Sequence, residues 1–164
     1  MQKPQSVTIC GEKLTGPRHI CAFFDSRDEQ YEVLTPYFEE GLKNNEEVVT
    51  ILEGHCHDDH YVRLTNAGIP VKEAVTSGQL KVLPSEETYL QGGAFVSGRM
   101  FNMLEQVLEN AGRGPYGHVR TCGDMEWALK NLPGTDELME YESRVNLLTK
   151  KHECTLLCVY DINR

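Results

Sequence analysis

No stretch of this chain approaches the roughly 20 consecutive apolar residues that a membrane-spanning helix needs, and its opening residues, MQKPQSVTICGEK, lack the apolar core of a secretion signal. A cytoplasmic location is therefore expected. Positive charge is scarce too: 16 Lys and Arg stand against 25 Asp and Glu, for a formal net charge of −9. Such a field repels phosphate backbones and anionic lipid, so neither direct nucleic-acid binding nor membrane binding is expected. None of the 6 cysteines forms a CxxC pair, which removes the basic unit of a thioredoxin-type motif and of a zinc ribbon. Most of them sit in β-like apolar runs, where a buried reduced thiol is the plain expectation. No Ser-His-Asp order or nucleophile elbow supports a hydrolase.

What is present is one domain's worth of alternating strand and helix signals. The 164 residues suffice for one substantial core and not for two. Residues 1–17 are turn-rich with a single short apolar run, and read as a loose tail or an added edge strand. Residues 19–24 form the first strand, followed by a helix whose Tyr31, Leu34, Phe38 and Leu42 make one core-facing stripe. Pro36 should kink that helix, and Gly41 with the Asn44-Asn45 pair should end it. Further strands are expected at residues 48–52, 80–83, 118–122 and 155–160, with helices over 56–67, 71–76, 94–110 and 135–152. The 94–110 helix carries two apolar rows and should be largely buried. Thr135 is placed to cap the last helix. Continuous apolar strands alternating with helices predict a three-layer α/β sandwich with a mainly parallel five-stranded sheet.

Ligands in such sheets bind outside the carboxyl ends of the strands. The turn there after the first strand, residues 25–28, contains no glycine, so it cannot cradle a triphosphate as a glycine-rich loop does. ATP is not expected as a cofactor. The glycine-rich segment 92–99 lacks a Gly-Lys-Ser/Thr ending and reads as the hinge of loop 85–93, a candidate lid. Candidate ligand contacts along this edge are Phe24, Asp25, Ser26, Glu53 and Asp124, with Trp127, Tyr141 and Tyr160 as an aromatic wall and Glu142 turned off the stripe of the last helix. His19 and Cys21 alternate on one face of the first strand, as ligand contacts or a soft metal pair. Separately, Cys56 and His60, at i and i+4 within His55-Cys56-His57-Asp58-Asp59-His60, have a spacing that zinc or another transition metal could use, with His57 adjacent.

Five short segments carry more than periodicity: HICAFFDS at 19–26, PYF and EGL at 36–42, GDMEW at 123–127, YE with NLL at 141–148, and LCVYD at 157–161. In this order they resemble the MEDS family, the methanogen/methylotroph DcmR-type sensory domain, from Arg18 to Asp161 of a single domain expected over residues 18–164. The resemblance implies a RecA/KaiC-like fold without a working phosphate loop. It also implies a role in signal transduction and transcription regulation, sensing small hydrocarbon derivatives. The family more often has Glu where this chain has Asp124. With no output domain in the sequence, signalling is expected to pass through a separate partner or through self-association as a homodimer. A metal-binding protein built on residues 55–60, or a degenerate ATPase-like oligomerisation module, are the alternative readings.

Overall fold

A computed structural model describes residues 6–163. Strands β1 (Ser6–Ile9) and β2 (Glu12–Thr15) form an antiparallel hairpin of their own. The N-terminal segment is thus neither a tail nor an edge strand of the main sheet, and its first five residues lie outside the described residues. Cys10 and Gly11 both take positive φ at the hairpin turn. Val7 is buried against the first helix, and the backbone and hydroxyl of Thr8 both donate to Glu40.

The main sheet contains β3 (Arg18–Phe24), β4 (Glu47–Leu52), β5 (Leu80–Pro84), β6 (Val119–Asp124) and β7 (Cys154–Asp161), in the order β3-β7-β6-β4-β5. Every pairing is parallel. The three central strands are buried at each residue, which is why β4 and β7 read as largely apolar runs rather than as alternation, while β6 buries Arg120, Thr121 and Asp124. Helices α1 (Arg27–Lys43), α2 (His57–Asn66) and α3 (Val71–Thr76) cover one face, packing Leu34, Phe38, Leu64 and Ala74 on Val48, Leu80, Leu157 and Val159. On the other face α4 (Ser97–Arg113) and α5 (Leu138–Val145) enclose a second core around Trp127, Tyr141, Phe95 and Leu156. Among the described residues no helix is long and apolar enough to cross a membrane.

Several local expectations change. Helix α1 continues through Pro36, and Gly41 lies within it rather than ending it: a Cβ there would stand 2.6 Å from the Arg120 side chain. Arg120 is fully buried and bonded to Glu46, Glu40 and the Tyr37 carbonyl, so glycine here makes room for an internal ion network. Helix α4 begins at Ser97 and buries only one row, Met100, Phe101, Leu104, Leu108 and Ala111. The last helix runs only from Leu138 to Val145, and no side chain of Thr135 caps it.

Candidate functional site

Strand β3 has a neighbour on one side only, and residues 19, 21 and 23 point to the face that α5 covers partially. The parallel register sets Cys21 directly beside Cys158 and His19 beside Leu156. Alternation on β7 turns Cys158 and Tyr160 to the same face. Glu142 on α5 and Asn146, the cap one helical turn further on, complete the group from above.

The contacts converge on His19. Its Nε2 is 2.9 Å from Glu142 Oε2, 3.5 Å from Cys158 Sγ and 4.0 Å from Cys21 Sγ, while Cys21 Sγ is 3.9 Å from Glu142 Oε2. Nδ1 of His19 donates to Asn146 Oδ1 at 3.3 Å, since the amide nitrogen of Asn146 is committed to the Glu142 and Ser143 carbonyls. Tyr160 donates its hydroxyl to Glu142 Oε1 at 2.5 Å. Burial by itself lowers the His19 pKa, but the contacts with Cys158, Cys21 and Glu142 outweigh it and raise it to about 12. Burial likewise works to raise Glu142, and His19 and Tyr160 together bring it below the ordinary carboxylate value. Cys158 is pushed up by burial to about 12, against the pull of His19, so it is a thiol beside a His19–Glu142 ion pair. The outer rim is open: Cys21 is exposed, and Phe23, 64 % exposed, stacks on Tyr160 at 5.2 Å.

A second polar cluster lies on the opposite face, at the carboxyl edge. Arg27, the first residue of α1, is 3.3 Å from Cys56 Sγ, 3.3 Å from Glu126 and 3.7 Å from Asp124. Asp124 also accepts the Glu126 backbone N–H. Burial raises Asp124 to about 6, with the Glu126 charge adding and the Glu126 N–H and Arg27 opposing. Behind it is a cavity of about 10 Å³, the size of one water molecule, lined by Gln30, Thr50 and His60. Gln30 Oε1, Thr50 Oγ1 and His60 Nε2 find no partner in the protein. A larger apolar groove of about 420 Å³ lies at the other end of the molecule, between the last turn of α1 and residues 68–79, far from either cluster.

The residues singled out from sequence therefore divide. His19, Cys21, Glu142 and Tyr160 come together, although on the face of the sheet rather than at its carboxyl edge. Asp124 stands in the Arg27 cluster. Trp127 and Tyr141 form core rather than an open wall: both are buried, with Phe95 packed against each and Tyr89 stacked on Trp127. Phe24 is buried on the other face, Ser26 caps α1 through the Glu29 N–H, and Asp25 is exposed beside it. Glu53 pairs with Lys130 and His55. Loop 85–93 is folded inward, with Tyr89 over Gly123, where a Cβ would meet the tyrosine oxygen at 2.1 Å.

Nor do Cys56, His57 and His60 converge on one point. Cys56 faces Arg27, His57 the Leu52 carbonyl and His60 the Tyr31 hydroxyl. The i and i+4 spacing is undone because Cys56 belongs to a 3₁₀ turn ahead of α2. Among the described residues, the His, Cys and carboxylate atoms that gather within 4.8 Å of one another are those of His19, Glu142 and Cys158. Cys158 and Asn146 entered the sequence analysis only as parts of the LCVYD and NLL segments, not as site residues. Their signals were present, as a thiol alternating with Tyr160 and an amide four residues beyond Glu142, but neither has meaning without the strand register.

The model of the methanogen/methylotroph DcmR sensory domain, MEDS, matches residues 18–164. The chain belongs to this family. It is 26% identical over 156 residues to a transcriptional repressor, DcmR, of Methylorubrum extorquens, a match covering 94% of this MEDS chain and 56% of the repressor. The crystal structure of a KaiC-like protein from the hyperthermophilic archaeon Pyrococcus horikoshii superposes with a TM-score of 0.62 at 11% identity, covering 87% of this chain and 63% of that one. The fold is thus RecA/KaiC-like.

Proposed function

We infer that this MEDS chain is a sensory module that binds a small organic molecule against His19, Cys21, Glu142, Cys158 and Tyr160, and passes the signal to a separate regulatory partner. The observation that carries this reading is a polar cluster of three elements that is closed inside and open at its rim. His19 and Glu142 have side chains 6% and 11% exposed, while Cys21 and Phe23 face outward beside them. A small weakly polar molecule would find a hydrogen-bonding floor and an aromatic side there. A role without phosphoryl transfer is supported by Arg27, whose guanidinium occupies the acidic corner near Asp124 where a nucleotide's metal would otherwise be held. Self-association as a homodimer belongs to the same reading, because β3 is an edge strand with Phe23 exposed.

The test is a panel of short-chain alcohols, thiols and halides followed by thermal shift and by NMR of the aromatic side chains. A binding compound should move Phe23 and Tyr160 resonances, and Tyr160→Phe should weaken it while the fold persists. Shifts confined to other regions, or none for any compound, would refute the site.

A further inference from the structure

Three groups, one each from α5, β7 and β3, compete for a single atom of His19 on β3. Glu142 Oε2, Cys158 Sγ and Cys21 Sγ lie 2.9, 3.5 and 4.0 Å from the same Nε2 of His19. Cys21 and Glu142 also approach each other, at 3.9 Å. An imidazole nitrogen carries one proton or one lone pair along one axis, so it completes only one of these contacts as a hydrogen bond. A metal ion at the centre satisfies all four donors together. With metal–nitrogen and metal–oxygen bonds of about 2.0 Å and metal–sulfur bonds of about 2.3 Å, a tetrahedral shell sets neighbouring donor atoms roughly 3.3–3.8 Å apart. His19, Glu142 and Cys158 already gather within 4.8 Å of one another, and Cys21, 4.0 and 3.9 Å from the first two, is the exposed ligand that turns inward to complete the shell.

The outer partners of a metal site are also in place. Asn146 Oδ1 takes the Nδ1 proton of His19 and so leaves Nε2 as the ligating nitrogen. Tyr160 holds Oε1 of Glu142 and so leaves Oε2 turned to His19. Two thiols, an imidazole and a carboxylate form a borderline-soft donor set that suits zinc-type ions and not calcium or magnesium. We propose that His19, Cys21, Glu142 and Cys158 form a four-ligand site for a zinc-type divalent ion, with Asn146 and Tyr160 as positioning residues. The sensory reading of the same site enters at one point: Glu142, steadied by Tyr160, is the ligand that yields its place to the polar atom of an organic molecule.

The full chain, reduced and freed of metal by a chelator, is titrated with cobalt(II) and then zinc, with thiolate-to-cobalt absorption and metal content as readouts. One ion per chain is expected. Cys21→Ser should weaken uptake at least about tenfold and reduce the thiolate absorption, and Asn146→Ala should weaken it by about 10–100-fold. Because Cys21 is exposed, its serine variant tests the site without emptying the core. A Cys56→Ser, His60→Gln double variant should bind as the unaltered chain does. No uptake by the unaltered chain, or uptake indifferent to Cys21→Ser, overturns the proposal. A metal-free chain that still answers a hydrocarbon derivative removes the metal and keeps the sensor, whereas a metal-loaded chain that ignores every compound does the reverse.

Discussion

The two polar clusters of this protein are about equally buried and differ in balance. At Arg27 and Asp124 the paired side chains are 11% and 9% exposed, and at His19 and Glu142 they are 6% and 11% exposed. Around Arg27 the contacts with Cys56, Glu126 and Asp124 all fall on Nη2, a permanently charged nitrogen with two protons to share between two carboxylates. Around His19 three groups share one nitrogen, and the rim residues Cys21 and Phe23 stand open. Burial therefore does not separate a binding site from a structural network. Access from outside does, together with the number of protons the shared nitrogen carries.

The largest expected effect tests the closed character of the Arg27 cluster. Arg27→Ala leaves Asp124 and Glu126 close together without their cation, and should cost about 3–5 kcal/mol in urea unfolding at neutral pH. A loss below about 1 kcal/mol would mean that this cluster is as open as the other.

The next comparison is with acid. Burial, then His57 and Arg27, lower His60 to about 4, so the fold holds it neutral. Its contribution to stability is complete above pH 6.5 and is lost as pH falls through 4, because the unfolded chain gains a proton that the folded chain refuses. Asp124, raised to about 6, acts in the opposite sense: its contribution is present below 3.8 and is lost as pH rises through 6. Over pH 4–6 the two slopes oppose each other. His60→Gln should therefore flatten or reverse the acid loss by about 2–3 kcal/mol relative to the unaltered chain, as read by chemical unfolding at pH 4.5 and 7.5. Parallel pH curves for the two proteins would contradict the assignment of a neutral buried ring.

A smaller effect sharpens the open cluster. Tyr160→Phe removes the hydroxyl that holds Glu142, a bond to a charged acceptor, and should cost about 1.5–2 kcal/mol without altering the strand pairing. The smallest belongs to the rim. Cys21→Ser should change the stability of the metal-free, reduced chain by less than about 0.5 kcal/mol, since the side chain is exposed. If Cys21→Ser cost as much as Tyr160→Phe, the rim would be part of the packing and the contrast between the clusters would fail.

Loop 85–93 shows how a local signal is reinterpreted by its surroundings. Its lack of periodicity suggests a lid, yet Tyr89 is 2% exposed and Glu86 accepts the Gly54 N–H. Gly123 permits this, because any side chain on that residue of β6 would expel the Tyr89 ring. The glycine was visible in the sequence as part of the GDMEW segment, whereas its partner 34 residues earlier was not.

By itself the sequence determined the order of strands and helices, the parallel α/β class and the membership of His19, Glu142 and Tyr160 in one family pattern. These follow from local periodicity and short motifs, which need only neighbours a few residues apart. Tertiary structure alone decided that Cys21 and Cys158 are register partners, that α5 and its cap present Glu142 and Asn146 to a single imidazole, and that Cys56 faces Arg27 instead of His60. Those contacts join residues up to 139 positions apart, as with His19 and Cys158. A one-residue slip of a strand would send each side chain to the other face, and only the packed sheet fixes that register.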